Sequence, residues 1–434
     1  MKQLMKPDMN ILRLVRQGSI PEDSEWKMSQ YIIRIGLEDH ILYFHTFTKE
    51  CLVCDPSEEL PEAVHGTKQT EQYRDLIERR FYVPQDSDET AAYCNLLSLL
   101  RNLDTYHGIT SYTILPTTYC NARCFYCYEL GYHFISMSDE NTDKLISFIE
   151  KTHADEEIRL NWFGGEPLLG KNLISRVTAA LREKEISFKS SIVTNSSLFT
   201  EPLILEAISQ WNLKGVQITL DGDEEEYNRR KNYFDTSVSP FTKVIQNMVL
   251  LHNHGIGLFI RLNTDYENLD SMKKLAVRLN ALFEDKSNIT VYAHPLFSMQ
   301  AGKDCLDIWK KSLEIEKLFR SYGFKTMEKR GTSRFKTYYC MNDNPSHIVI
   351  NADGMLYGCE HCQKETQLCS LDEIPQKSTK KTVTVSDLQE KCRHCAFLPD
   401  CTEFSSCPDI SYDCKAMRLL QLRDTLQQKF DQNY

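Results

Sequence analysis

Residues 111–129 read SYTILPTTYCNARCFYCYE and carry the most informative pattern in the 434-residue chain. The apolar, β-branched run Tyr112–Leu115 predicts a strand, and three cysteines follow it with the spacing C-x3-C-x2-C: Cys120, Cys124 and Cys127. Three thiolates can hold three corners of a cubane iron–sulfur cluster, so the fourth iron keeps no protein ligand, as in a working site. A three-cysteine zinc site with a distant fourth ligand is the alternative.

The chain beyond this motif alternates between strand patterns and helix patterns. Apolar runs predict six strands: Tyr112–Leu115, Ile158–Phe163, Ser191–Thr194, Val216–Leu220, Leu258–Leu262 and Ile289–Tyr292. Helical spacing predicts the helices Asp139–Lys151 (with Ser138 as N-cap), Asn172–Glu183, Glu201–Trp211, Phe241–His254, Asp270–Phe283 and Lys303–Tyr322. Strand–helix repeats favour a parallel sheet. Six repeats predict an open, partial (β/α)6 TIM-like barrel, with its chemistry at the C-terminal ends of the strands.

The flanking regions have different patterns, so we predict three segments. Residues 1–108 form a small α+β unit, residues 109–325 the partial barrel, and residues 326–434 a cysteine-rich, loop-rich domain. Within the first segment we expect strands at 30–36 and 41–47 and helices at 71–80 and 88–101. The last segment is expected to end in a helix around residues 415–430.

Composition excludes several classes of protein. A formal net charge of -10 argues against non-specific binding to nucleic acid or to an anionic membrane surface. The start MKQLMKPDMN has no apolar signal region, and no run approaches the ~18 apolar residues of a membrane helix, so we expect a cytoplasmic protein. In a reducing compartment, 16 cysteines are poor candidates for disulfides and good candidates for metal or cluster ligands.

With aromatic Tyr126 before its last cysteine, the motif resembles the signature of radical S-adenosylmethionine (radical SAM) enzymes. The resemblance implies that Cys120, Cys124 and Cys127 hold a [4Fe-4S] cluster whose open iron binds S-adenosylmethionine. One electron, from an external flavodoxin or ferredoxin type of donor, then releases a 5′-deoxyadenosyl radical. That radical abstracts hydrogen from an unactivated carbon, while the protein supplies placement and electrostatics.

Polar or glycine-rich segments at the later strand ends extend the resemblance. They are NWFGGEP at 161–167, VTNS at 193–196, ITLDG at 218–222 and IRLNTD at 260–265. In VTNS, Ser196 stands where the family usually has glycine. The residues that the resemblance assigns to cofactor binding are Tyr126, Gly164, Gly165, Glu166, Asn195, Thr219 and Arg261.

The C-terminal cysteines resemble the SPASM extension, which carries two auxiliary [4Fe-4S] clusters. The run C-x2-C-x5-C-x5-C has five residues in its third gap, where the family usually has three. The resemblance implies an outer cluster on Cys392, Cys395, Cys401 and Cys414 and an inner cluster on Cys340, Cys359 and Cys407. The fourth ligand of the inner cluster is Cys362, Cys369 or none, which leaves an open iron. Two structural zinc sites are the alternative.

We therefore expect a radical SAM peptide maturase that forms a thioether or carbon–carbon crosslink in a ribosomally made precursor peptide. The N-terminal unit is either a module that binds the leader of that precursor by strand addition or a structural cap. An anaerobic sulfatase-maturating (formylglycine-forming) enzyme is the alternative activity, and a non-catalytic iron–sulfur or zinc scaffold is the alternative class. No catalytic base is assigned; the candidates are Asp221, Tyr292 and His294.

Overall fold

The computed structural model describes residues 1–21, 25–104, 107–129, 131, 133–296, 305–327, 334–375, 382–401 and 414–433. The chain divides into two compact units. The first unit combines residues 1–105, 328–340 and 380–434, and the second combines residues 106–327 and 341–379.

The described residues of the N-terminal part of the first unit form two antiparallel sheets. Its strands are β1 (Lys2–Met5), β2 (Trp26–Met28), β3 (Ile32–Gly36), β4 (Ile41–His45), β5 (Cys51–Cys54), β6 (Ala63–Val64) and β7 (Tyr82–Pro84). Its helices are α1 (Met9–Val15), α2 (Gly66–Gln72), α3 (Arg74–Glu78) and α4 (Glu89–Leu103). One sheet has the order β1-β5-β4-β3 and the other β6-β2-β7. Because β1 pairs with β5, the outer strand on the opposite side of the larger sheet is β3.

Among its described residues, the second unit is built on a sheet of ten strands. In chain order they are β8 (Ser111–Ile114), β9 (Ile158–Trp162), β10 (Phe188–Val193), β11 (Leu213–Leu220), β12 (Gly257–Thr264), β13 (Ile289–Pro295), β14 (Lys325–Thr326), β15 (His347–Ile350), β16 (Met355–Tyr357) and β17 (Gln367–Ser370). The order across the sheet is β14-β13-β12-β11-β10-β9-β8-β15-β16-β17. Strands β8 to β13 are parallel and follow one another in chain order, so the predicted open α/β architecture is confirmed.

Helices alternate with these strands and cover the sheet. They are α5 (Asp139–Thr152), α6 (Lys171–Glu183), α7 (Glu201–Ser209), α8 (Glu224–Lys231), α9 (Pro240–Asn253), α10 (Leu269–Leu282) and α11 (Cys305–Ser321). The Ser138 side chain accepts from the Asn141 N–H, which confirms the predicted cap of α5. Fully buried apolar residues of both layers, such as Ile149 on α5 and Leu160 on β9, form one continuous core.

The C-terminal part of the first unit adds α12 (Glu390–Arg393) and α13 (Cys414–Asn433). Leu422 and Leu426 of α13 pack against Leu42 and Phe44 of β4 in a single cluster. The N-terminal sheet and the last cysteine-rich stretch therefore share a hydrophobic core. Among the residues that the structure describes, no helix has both the length and the apolar character to cross a membrane.

Candidate active site

The three cysteines of the C-x3-C-x2-C motif lie in the loop after β8, which we call the cysteine loop (residues 116–129). Cys120, Cys124 and Cys127 are free thiols of intermediate exposure, and the Cys127 N–H donates to the Cys124 carbonyl at 3.0 Å. Burial raises the pKa of all three thiols, that of Cys120 to about 12. Because metals bind the thiolate form, loading this site must release protons.

The glycine-rich segment after β9 packs directly against the cysteine loop. The Gly165 N–H donates to the Thr117 carbonyl at 3.1 Å, and the Glu166 N–H donates to the Tyr119 carbonyl at 2.8 Å. A Cβ at Gly164 would lie 2.5 Å from the Thr117 carbonyl oxygen, and one at Gly165 would lie 2.3 Å from that of Tyr119. Both glycines are therefore required by the close approach of the loop backbone.

The Glu166 side chain is fully buried and links the end of β9 to the end of β10. Its carboxylate accepts from Thr194 Oγ1 at 2.6 Å, from the Asn195 N–H at 2.8 Å and from the Leu168 N–H at 3.1 Å. Burial raises the pKa of Glu166, and these three donors oppose that shift. Its carboxylate oxygens are thus engaged by protein donors, and its contact to the cofactor stays a prediction.

Asn195, which follows β10, joins a hydrogen-bonded network with the cysteine loop. Its Nδ2 donates to Asn121 Oδ1 at 2.7 Å, and its Oδ1 accepts from the Ser197 N–H at 3.0 Å and from Ser197 Oγ at 2.7 Å. Asn121 Nδ2 closes the ring by donating to Ser197 Oγ at 2.9 Å. Asn195 therefore positions the residue that directly follows Cys120.

Ser196 adopts the left-handed conformation for which the family's glycine is suited, with a φ of 65°. Its N–H donates to Thr194 Oγ1 at 2.9 Å, and its carbonyl accepts from Asn247 Nδ2 at 2.7 Å, so the conformation is held on both sides. Its Oγ is buried and has no hydrogen-bond partner among the described residues. The serine therefore strains the backbone at a position where glycine would relax it.

Asp221, which follows β11, is fully buried and connected to the cysteine loop. Tyr126 Oη donates to Asp221 Oδ2 at 2.6 Å. Lys231 Nζ donates to Tyr126 Oη at 2.8 Å and lies 3.3 Å from the same Asp221 oxygen. The other oxygen, Oδ1, has no donor within the described part of the chain. Asp221, a candidate base, is thus held by Tyr126 and Lys231.

Lys231 is a residue of this site that sequence patterns do not single out. It ends α8, a helix that apolar periodicity does not predict because the segment is almost entirely charged. The available signal is the order of charges: Asp223 caps the N-terminus, acidic residues fill the first turn and basic residues fill the last. Only the fold shows that Lys231 reaches Tyr126 and Asp221.

Thr219, Arg261 and Tyr292 form one row across β11, β12 and β13, because each is in register with the next. Arg261 Nε donates to Asn263 Oδ1 at 2.9 Å. Burial raises the pKa of Tyr292, and Arg261 opposes that shift. The structure therefore brings two predicted cofactor contacts and one candidate base together on neighbouring strands.

His294, the remaining candidate base, lies near the end of β13. Its Nδ1 is 2.9 Å from the Pro295 carbonyl oxygen. Its ring packs edge-on against Trp309, with ring centroids 5.2 Å apart. Neighbours on β13 and α11 therefore orient the imidazole ring.

A cavity of about 280 Å³ lies in the second unit, lined by the cysteine loop and by the segment after β15. Glu129, Glu360 and Cys362 contribute polar groups to its wall. Burial and the nearby Glu360 carboxylate raise the pKa of Glu129 to about 7. The cavity therefore adjoins both the core motif and a candidate ligand of the inner auxiliary cluster.

The second cysteine region is divided between the two units. Cys359, Cys362 and Cys369 belong to the second unit, whereas Cys340, Cys392, Cys395, Cys401 and Cys414 belong to the first, and Cys407 lies outside the described residues. Arg418, one turn beyond Cys414 on α13, donates to Cys401 Sγ at 3.9 Å and to the Asp400 carbonyl at 2.8 Å. Assignment of these cysteines to two auxiliary clusters stays a prediction.

The cysteine loop fits a [4Fe-4S] cluster by its chemistry. Three soft thiol donors lie on one short loop, each partly accessible. Asp221 Oδ1 also offers a buried acceptor that a bound ligand or water can satisfy. Within the described ranges, no three or more Cys, His, Asp or Glu side chains close around a single metal ion. A cubane differs from that case, because each thiolate ligates a different iron.

These features define a class of protein: an open α/β barrel with a three-thiol loop at the C-terminal end of its first strand. Residues 114–279 match the model of the Radical SAM superfamily. The chain therefore contains a radical SAM domain and is an enzyme. Its class implies S-adenosylmethionine and one [4Fe-4S] cluster as cofactors.

Two curated proteins resemble part of the chain. An uncharacterised protein of Methanocaldococcus jannaschii is 25% identical over 259 residues, which cover 58% of this chain and 85% of that protein. The radical SAM cyclopropyl synthase TigE of Paramaledivibacter caminithermalis is 24% identical over 272 residues. That match covers 57% of this chain and 52% of TigE.

Solved structures share the fold more extensively. Native anSMEcpe with bound AdoMet and a Cp18Cys peptide is 16% identical, with a TM-score of 0.55, and covers 74% of this chain and 98% of its own. Streptococcus suis SuiB bound to its precursor peptide SuiA is 13% identical, with a TM-score of 0.52, and covers 90% of this chain and 99% of its own. At these identities the likeness establishes the fold alone.

Proposed function

We propose that this enzyme modifies a ribosomally made precursor peptide and forms a thioether or carbon–carbon crosslink within it. The observation that carries the proposal is the cysteine loop: three thiols at the C-terminal edge of an open barrel, held by the glycine-rich segment after β9. The likeness to SuiB, whose fold spans 90% of this chain, also supports a peptide substrate.

In the proposed reaction Cys120, Cys124 and Cys127 hold the cluster. When bound, the cluster and S-adenosylmethionine supply a 5′-deoxyadenosyl radical that removes hydrogen from the substrate. The protein keeps the loop in place through Glu166 and Asn195 and excludes water from the buried side of the site. Thr219 and Arg261 line the neighbouring strand ends and are the proposed contacts to S-adenosylmethionine.

We also propose that the C-terminal cysteines hold two auxiliary [4Fe-4S] clusters. The Arg418 contact to Cys401 supports this for the outer cluster, because a cation near thiolates offsets their charge. For the inner cluster, Cys362 lines the cavity beside Glu129 and is therefore the preferred candidate for a fourth ligand. An external flavodoxin or ferredoxin type of donor supplies the electrons.

The N-terminal sheet is the proposed site for the leader of the precursor. Peptides commonly bind such modules by adding a strand to a sheet edge. The outer strands of the larger sheet, in the described part of the chain, are β1 and β3, and β3 (Ile32–Gly36) is the one that we propose a leader extends. Arg34 on β3 is exposed and pairs with Glu59 at 2.7 Å, which places polar groups beside that edge.

Anaerobic reconstitution of the full chain with iron and sulfide tests the core of the proposal. With dithionite and S-adenosylmethionine, the wild type is expected to release 5′-deoxyadenosine and methionine. Replacing Cys124 with alanine should abolish this release and remove about four iron atoms per chain. Assembled clusters without any 5′-deoxyadenosine would contradict the enzyme proposal and favour a scaffold.

The bond formed is tested with a precursor peptide encoded beside the gene. A thioether or carbon–carbon crosslink removes two hydrogen atoms and leaves two residues covalently joined in the fragment spectrum. Formylglycine formation instead leaves an aldehyde that a hydrazide reagent captures. Capture of an aldehyde without any crosslinked fragment would replace the present proposal with sulfatase maturation.

A further inference from the structure

Tyr126, Asp221 and Lys231 form a closed triad beside the cysteine loop. Each side chain contacts the other two: Tyr126 Oη lies 2.6 Å from Asp221 Oδ2 and 2.8 Å from Lys231 Nζ, and that nitrogen is 3.3 Å from the same carboxylate oxygen. One member belongs to the cysteine loop, one follows β11 and one ends α8. The triad therefore ties the cysteine loop to the segment 221–231, about a hundred residues further along the chain.

The charges of this triad are almost completely shielded from water. The Asp221 side chain is 0% exposed and the Lys231 side chain 6%. The Lys231 ammonium also lies 5.4 Å from the ring centroid of Tyr126 and 5.7 Å from that of Tyr227. Burial disfavours the ammonium, but Asp221, Tyr126 and Cys124 outweigh it and raise the pKa of Lys231 well above its ordinary value. Lys231 therefore stays a cation.

The backbone around Lys231 binds the cysteine loop as well. The carbonyls of Lys231 and Asn232 both accept from the Arg123 N–H at 3.0 Å, and the Phe234 N–H donates to the Asn121 carbonyl at 3.1 Å. Asn232 turns the chain out of α8 through a left-handed φ of 48°. Lys231 is thus held by its backbone contact to Arg123, before Cys124, and by its side-chain contact to Tyr126, after it.

A buried ion pair that only held the loop would not need to lie beside a thiol. Here both members of the pair contact Tyr126, two residues from Cys124, and the Lys231 carbonyl accepts from the N–H of Arg123, the residue directly before Cys124. Fixed charges and hydrogen bonds near a cluster change its reduction potential. In a low-dielectric interior such charges act strongly on a nearby group.

We propose that Lys231 is a positioning residue that orients Tyr126 and raises the reduction potential of the cluster on Cys120, Cys124 and Cys127, with Asp221 limiting that effect. This inference rests on the proposed cluster at the cysteine loop. In the step concerned, one electron from dithionite or the external donor enters the cluster, and no covalent bond is made or broken. A nearby cation stabilises the added negative charge, and a nearby anion opposes it.

The test is a redox titration of the reconstituted full chain followed by electron paramagnetic resonance. The core cluster is identified as the signal that changes when S-adenosylmethionine is added. In Lys231→Met the equilibrium constant for one-electron reduction should fall at least about tenfold, which is 59 mV toward negative potential. In Asp221→Asn it should rise by a similar factor, because the opposing charge has been removed.

Two further variants separate charge from structure. Arg229→Met removes a cation from the same helix at a side chain that is 57% exposed, so solvent screening should keep its shift under about threefold. Lys231→Arg keeps the charge and should remain within about threefold of the wild type. If Lys231→Met fails to hold a cluster, Asp221→Asn and Lys231→Arg decide the question on their own.

The outcomes distinguish this inference from the proposed function. A wild type with no signal that responds to S-adenosylmethionine would contradict both. A responsive wild-type signal, with Lys231→Met and Asp221→Asn unchanged or shifted in the same direction, would overturn the inference alone. Opposite shifts in the two variants, with iron content maintained, would support it, since a loss of packing has no reason to change sign.

Discussion

Replacing Ser196 with glycine should stabilise the second unit. A left-handed residue other than glycine costs about 1–2 kcal/mol, and a buried hydroxyl without a partner costs about 1–3 kcal/mol. Glycine loses more conformational entropy on folding, which reduces the expected gain in stability by about 0.5–1 kcal/mol. With a φ of 65° and an unpartnered Oγ at Ser196, the net gain should be about 2 kcal/mol.

The assay is urea unfolding of the reduced, cluster-free full chain, followed by tryptophan fluorescence. Trp162 and Trp211 are fully buried and Trp309 nearly so, all in the second unit, so most of the signal reports on that unit. With a slope of about 2–3 kcal/mol per molar urea, the midpoint should rise by roughly 0.7–1 M. An unchanged slope would show that stability, and not compactness, has changed.

Two further substitutions separate the contribution of the backbone conformation from that of the buried hydroxyl. Ser196→Ala removes the hydroxyl but keeps the strained backbone, so it should give only part of the increase. Glu185→Gly relieves a left-handed φ of 57° at an exposed residue and should give the backbone part alone. The reasoning is refuted if Ser196→Gly is no more stable than the wild type, or no more stable than Ser196→Ala.

Three other predictions concern the loop, a buried ion pair and pH. Gly165→Ala would place a Cβ 2.3 Å from the Tyr119 carbonyl oxygen, so the reconstituted variant should lose up to about four irons by iron analysis. Arg230→Met breaks a fully buried pair in which Asp265 accepts at 2.6 and 3.0 Å; urea unfolding should show a loss of about 3–5 kcal/mol. Burial lowers the pKa of His45 from 6.5 to about 3, so the unfolded chain binds the proton first as pH falls. The first unit should therefore lose up to about 1.4 kcal/mol per pH unit between those values, and a His45→Gln variant should show a flatter pH dependence of its urea midpoint.

The parallel strands were the part of the fold most open to prediction. Buried strands such as β9 and β12 read as apolar, β-branched runs, because both faces of a parallel sheet are covered. The pairing of β15 with β8 could not be predicted, since it joins residues more than two hundred positions apart and nothing local encodes it. The addition of β1 to β5 at the edge of the N-terminal sheet is a similar non-local event.

The site was predictable as a set of motifs but not as a set of contacts. The spacing of the cysteines and the order of motifs along the chain identify the three cysteines and Gly164–Glu166 as site candidates. Both features are local in the sequence. The hydrogen bonds of Glu166 and Asn195 to neighbouring strands depend on how strand ends meet, which local patterns do not contain. Lys231 is the clearest case: its charge is visible in the sequence, but its burial beside Tyr126 arises only from folding.

The cysteine loop is held by contacts that do not involve its three thiols. Gly165 and Asn195 hold residues before and after Cys120, and Lys231 holds Arg123 next to Cys124. All of these bonds use backbone or amide groups and leave the three thiols for ligation. Ordering the backbone of one residue costs about 1–2 kcal/mol of conformational entropy. The contacts within the barrel offset part of that cost for the cysteine loop. Substitutions that weaken these supports should therefore reduce cluster affinity even though they touch no thiol, because the cluster would then have to order the loop as it binds.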